Sequence, residues 1–297
     1  MLRLDGHVHV PDLAAPLPDR LAAGLAEAGF DGAVLISAPP PCFFVDGTAA
    51  QAAAGTGADR LANVLAWTRG RPALHPFLWI DPVADGAAEE VARAARAGIA
   101  GFKAICSRHE PGDPRAMPVY EAVAASGRPL LFHSGILWDG QPSSEHNRPA
   151  AFEALLPVKG LRFALAHASW PWVDECLAVF GKFLNARTAR PDGAAEMFLD
   201  VTPGTPRIYR EALYRKLLGI GYDLGGSLLF GSDGDAADYG AAWTREWAER
   251  DEALVRALAP QDADALVADL FGGALLRFLD PAAAPPRTAR PLPVPGR

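Results

Sequence analysis

GIAGFKAICSRHEPGDPRAMPVYEAVAASGRPLLFHSG, residues 98–135, holds one full turn of the pattern that decides the fold. Residues 98–105 form a short apolar, β-compatible run. A polar loop, 107–113, leads into residues 114–125, which read as a helix, and 129–135 is a second apolar run. Two parallel strands need a crossover of a dozen or more residues between them, and a helix usually supplies it.

The same alternation extends in both directions. Apolar runs occur at 2–10, 32–37, 74–80, 98–105, 129–135, 161–169, 197–202 and 227–233. Helical segments are expected at 18–28, 86–97, 114–125, 148–156, 172–184 and 206–218. GAAEEVARAARA (86–97) carries its acids early and its arginines late, as the helix dipole prefers. The Ala-rich stretch 48–67 contains Gly55 and Gly57 and is expected to break there. Two further helical stretches, 236–258 and 261–279, follow the eighth run. Eight strand–helix units in 297 residues favour a closed (β/α)8 TIM barrel over an open doubly wound sheet. No linker divides the chain, so 1–280 is expected to be the barrel and 281–297, rich in proline, a C-terminal tail.

With 50% hydrophobic residues the chain can build a large core, and its net charge of −7 opposes nucleic-acid binding, which needs a basic face. Three scattered cysteines, Cys42, Cys106 and Cys176, form no CxxC and suit a reducing compartment. No apolar stretch is long enough to span a membrane and no signal peptide is read, so a cytoplasmic location is expected.

His7-Val8-His9 is the sharpest chemical feature. Residues i and i+2 of a strand share a face, so two imidazoles project together at the end of the first strand. Lys103, His133, His167 and Asp233 fall near the ends of the fourth, fifth, sixth and eighth runs. Barrel active sites are built at the C-terminal ends of the strands. Histidine and carboxylate donors with an open position suit zinc, with manganese as the alternative ion. Such an ion makes a water acidic enough to attack at neutral pH, with Asp233 as general base and His167 as a donor to a developing oxyanion. His75 lies at the start of its strand and reads as structural, His109 and His146 as solvated loop residues, and Cys106 as buried and inert. No GxSxG is present.

The motifs DGHVHV (5–10), GFKAI (101–105), LLFHSG (130–135), LAHASWP (165–171) and LLFGSD (228–233) together resemble the amidohydrolase superfamily, most closely its amidohydrolase-related branch of metal-dependent barrels. The resemblance implies that His7, His9 and Asp233 bind a metal, with His133 the next ligand. It implies that His167 holds a second metal or acts on the substrate. Lys103 would be carboxylated and bridge two metals, or remain an amine beside one. The sequence departs from the family where a Gly-Asn-Ala element often follows the last strand: it reads Gly272-Gly273-Ala274, without the Asn contact that docks the next helix.

The loops are expected to set specificity. Trp138 and Trp170 supply aromatic walls, and Arg108 or Arg148 could pair with a substrate carboxylate. The expected partner is a small organic molecule, with a homo-oligomer compatible. The expected reaction is hydrolysis of an ester, lactone or amide. Two alternatives stand beside it: non-oxidative decarboxylation of an aromatic or unsaturated acid, which the resemblance also covers, and a non-catalytic metal-binding barrel.

Overall fold

A computed structural model describes residues 2–191 and 193–283. The last fourteen positions of the expected Pro-rich tail lie outside the described residues. The first half runs β1 (Leu4–His9), α1 (Pro18–Ala28), β2 (Gly32–Ile36), α2 (Ala49–Ala53), α3 (Gly57–Thr68), β3 (Leu74–Trp79), α4 (Ala87–Arg96), β4 (Gly101–Ala104) and α5 (Met117–Ala125). The second half runs β5 (Leu130–Phe132), β6 (Arg162–Leu165), α6 (Val173–Ala189), β7 (Glu196–Asp200), α7 (Arg210–Gly219), β8 (Leu228–Leu229), β9 (Gly234–Asp235), α8 (Ala241–Leu258), α9 (Ala263–Ala268) and α10 (Ala274–Leu279).

The strands are parallel and lie in the order β8-β7-β6-β5-β4-β3-β2-β1-β9. The two ends of that order, β8 and β9, are halves of one run. Val201 N donates to Leu229 O at 2.9 Å on the β7 side. Gly6 N donates to Phe230 O, and Asp233 N to His7 O, both at 2.9 Å, on the β1 side. The eighth run therefore joins the last strand to the first, and the sheet closes into a TIM barrel.

Strand alternation separates two apolar layers. Ala33, Leu35, Phe102, Leu130, Phe163, Met197 and Leu199 face outward into the larger core, against the helices. Val34, Ile36, Phe77, Leu131, Ala164 and Phe198 face inward and fill the barrel. α10 plugs the bottom: the Phe278 ring lies 4.9 Å from Phe198 and 6.5 Å from Phe77. This helix docks without the asparagine that the family pattern would place before it.

The helix broken at Gly55 and Gly57 is found as α2 and α3, with a Thr56–Asp59 capping box opening α3. One expected helix is not α-helical. Residues 149–155 form a 3-10 run instead. Pro149 opens it, preceded by Arg148 in the extended conformation (φ −72°, ψ 136°) that a residue before a proline prefers.

Candidate metal centre

The alternation that builds the barrel also aims the site. With Phe102 and Ala104 outward, Lys103 points inward, and with Leu130 and Phe132 outward, His133 follows Leu131 inward. Asp200 shares the inward parity of Phe198, and Asp233 that of Leu229. β1 needs a correction to obey the same rule. Leu4 belongs to the inner layer and Val8 to the outer, although both are even-numbered. A register shift between Asp5 and Val8 inverts the parity and turns His7 and His9 into the barrel. His167 would point outward in a continued strand. Left-handed backbone at His167, Ala168 and Ser169 (φ 61°, 44° and 57°) turns it in. Its ring lies against Gly204, where an added Cβ would stand 2.6 Å from His167 Cγ.

Three ligand atoms converge at the barrel's open end. His7 Nε2 lies 3.1 Å from His9 Nε2 and 3.5 Å from Asp233 Oδ1, and His9 Nε2 lies 3.2 Å from Asp233 Oδ1. Ligands at about 2.0–2.1 Å from a tetrahedral ion stand about 3.3 Å apart, so the separations suit one divalent cation. Among the described residues this is the group of three whose donor atoms lie close enough to share an ion. His133 and His167 stand at the next strand ends, with ring centroids 5.1 Å apart and the His167 ring 5.6 Å from His7. Lys103 Nζ lies 3.4 Å from His7 Nε2.

Burial dominates the electrostatics. It pulls His7 down to about 4, His133 well below the imidazole range and His167 below it, so neutral ligands are favoured. Burial also brings the Lys103 amine down to about 8, against the attraction of Asp200 and Asp233. Burial pushes the Asp233 carboxyl up, but the hydrogen bond from His9 and the neighbouring His7 and His167 outweigh it and hold Asp233 well below the usual carboxylate range.

Asp200 belongs to this site and was not among the residues read from the sequence. Its Oδ2 lies 2.7 Å from His7 Nδ1, and both side chains are buried. Asp5 is a second unexpected acid: it accepts from the main-chain N of His7 (3.1 Å) and Ser232 (2.9 Å) and from the Tyr239 hydroxyl (2.8 Å). Its burial raises it to about 6.

A cavity of about 580 Å³ opens over the three ligands, with Phe43, Trp79, Trp138, Trp170 and Trp243 among its aromatic walls. Trp138 stands at its rim, 81% exposed. The structure does not bring Arg108 or Arg148 to this cavity. Arg108 donates to Cys42 O at 2.9 Å. Arg148 is held by Glu175 at 2.6 Å and stacks over Trp172. His75 lies near the start of β3, as expected of a structural residue. His109 is buried rather than solvated, because the loop after β4 folds in and leaves its Nε2 without a partner. His146 pairs with Glu110 at 2.9 Å, and Cys106 is buried.

The amidohydrolase family model matches residues 4–280, nearly the whole described chain. The chain belongs to the amidohydrolase family. Solved structures repeat the fold at low identity. A 2,6-dihydroxybenzoate decarboxylase, complexed with 2,6-dihydroxybenzoate, is 14% identical with a TM-score of 0.60, covering 95% of this chain and 98% of its own. A D-hydantoinase is 12% identical with a TM-score of 0.59, covering 93% and 70%. Amidohydrolase 2 from Bifidobacterium longum subsp. infantis is 17% identical with a TM-score of 0.53, covering 94% and 99%. No curated protein matches the chain. A hydrolase and a decarboxylase thus share this fold, and the likeness leaves the reaction open. Among the described residues no helix is long and apolar enough to cross a membrane.

Proposed function

We propose that this amidohydrolase hydrolyses an ester, lactone or amide bond in a small, partly planar organic molecule, using one divalent ion, zinc by its donor set. The observation that carries the reading is the convergence of His7, His9 and Asp233 on one point at the floor of an aromatic cavity. An ion held there would lower the pKa of a water to about 7. Asp233 remains ionised at neutral pH and accepts the proton of the attacking water, then delivers it to the leaving group. His167 lines the same cavity, so its ring can donate to the oxygen on which negative charge develops. The indole of Trp79, 4.9 Å from the Phe43 ring, offers a flat apolar wall for the substrate.

Decarboxylation of a planar unsaturated acid is the second reading. Lys103 favours it, because a buried amine beside the ligands, on the floor of an aromatic slot, can hold a carboxylate. Turnover of a panel of esters, lactones, amides and aromatic acids in 18O-water separates the two. Hydrolysis places 18O in the product acid, whereas decarboxylation releases CO₂ without consuming water. His9→Ala is expected to abolish both bound zinc and turnover. Unchanged zinc content in that variant would refute the site, and a zinc-loaded protein that turns over nothing on the panel would point to a non-catalytic barrel.

A further inference from the structure

The carboxylate beneath His7 does more than fill a buried position. We propose that Asp200 is a positioning residue that fixes the tautomer and orientation of His7, and thereby sets the metal affinity of the centre from β7. The inference rests on the metal-centre reading of His7, His9 and Asp233.

An ionised carboxylate can only accept hydrogen bonds. Asp200 Oδ2 stands 2.7 Å from His7 Nδ1, so that nitrogen carries the proton. The lone pair of His7 is then confined to Nε2, the atom that faces His9 and Asp233. A histidine whose other ring nitrogen is anchored in this way is a more basic and better-aimed ligand.

Asp200 is itself immobilised. Its Oδ1 accepts from the main-chain N of Thr202 at 2.6 Å and from the Thr202 hydroxyl. That hydroxyl also lies 3.2 Å from His7 Nδ1. With both side chains shut away from solvent, water cannot replace a lost partner. Gly231 packs closely against both partners: a Cβ there would lie 2.5 Å from His7 Cβ and 2.8 Å from Thr202 Oγ1. The root of the His7 side chain is thus held by the eighth run while its Nδ1 is held by the β7 carboxylate.

The test compares the wild-type chain with Asp200→Asn, Asp200→Ala and Thr202→Val. Zinc affinity is measured by chelator competition, the fold by circular dichroism of the metal-free form, and the His7 tautomer by 15N NMR. An asparagine can turn its NH2 toward Nδ1 and favour the wrong tautomer. Asp200→Asn and Asp200→Ala are expected to weaken zinc binding 10- to 100-fold while the metal-free fold is retained. Thr202→Val is expected to weaken it less, in the same direction. The wild-type His7 signal is expected to show a protonated Nδ1, and Asp200→Asn to lose that signature. Should Asp200→Ala not fold, Asp200→Asn and Thr202→Val decide the matter. Wild-type zinc affinity and an unchanged His7 tautomer in Asp200→Asn would overturn the proposal while leaving the metal centre standing. A wild-type chain that binds no zinc would overturn the metal centre, and the proposal with it.

Discussion

At the scale of single residues, the site depends on atoms that are absent as much as on those present. Gly231 lies inward, between Phe230 and Ser232, and its missing Cβ is what lets the His7 side chain sit against the eighth run. An added methyl 2.5 Å from His7 Cβ cannot be relieved by a flexible side-chain tip, because the obstacle is the root of the ligand itself. Gly231→Ala is therefore expected to cost about 1–3 kcal/mol, as overpacked cores do, and to weaken zinc binding because His7 moves. Urea unfolding at unchanged m, together with chelator competition, checks both effects. Wild-type affinity with wild-type stability would show that the packing around His7 yields more than the contact implies.

At the scale of elements, the sequence was readable wherever one strong period acts alone. The strand–helix alternation and the His7–His9 pair are local patterns, and both survive into the barrel. Asp200 escaped because a lone acid near the end of an apolar run looks like an ordinary loop start. Its inward parity with Phe198 was the available signal, but parity names a face only once a neighbouring strand is placed. His167 was found by type rather than by geometry, since left-handed backbone overrides the parity of β6. Arg108 and Arg148 lie away from the cavity for a different reason: a loop residue's direction depends on partners far away, here Cys42 and Glu175. The pairing of α7 with α8 was equally hidden. Arg210 on α7 and Asp251 on α8 form a fully buried ion pair, with Arg210 Nε donating to Asp251 Oδ1 at 2.8 Å. Asp251→Ala leaves the guanidinium buried without its counter-charge, and the expected loss is about 3–5 kcal/mol. Replacing both residues with apolar ones of similar volume is expected to recover most of it. Denaturant midpoints of the single and double variants measure this, and a mild single-variant effect would mean that water reaches Arg210.

At the scale of the whole molecule, the candidate metal centre and the closure of the barrel are the same place. His7 and His9 come from the first strand, and Asp233 lies between β8 and β9 on the run that completes the sheet. The protein's own seam here is short: β8 and β9 are two residues each, and Asp5 reinforces them by receiving Ser232 N and the Tyr239 hydroxyl. An ion shared by both sides of that seam would act as a clip between the ends of the chain's sheet. A ligand present at a thousand times its Kd stabilises by about 4 kcal/mol, which in a chain of this size amounts to a rise in melting temperature on the order of 10 °C. Chelation is expected to reverse that rise and to do so unevenly. Amide exchange should accelerate first in β1 and in the run containing β8 and β9, while β4 and β5, with no ligand of the three, keep their protection longest. Equal acceleration around the barrel would mean that the ion stabilises the fold as a whole rather than its seam. An unchanged melting temperature would mean that the hydrogen bonds from Gly6 to Phe230 and from Asp233 to His7 hold the barrel closed unaided.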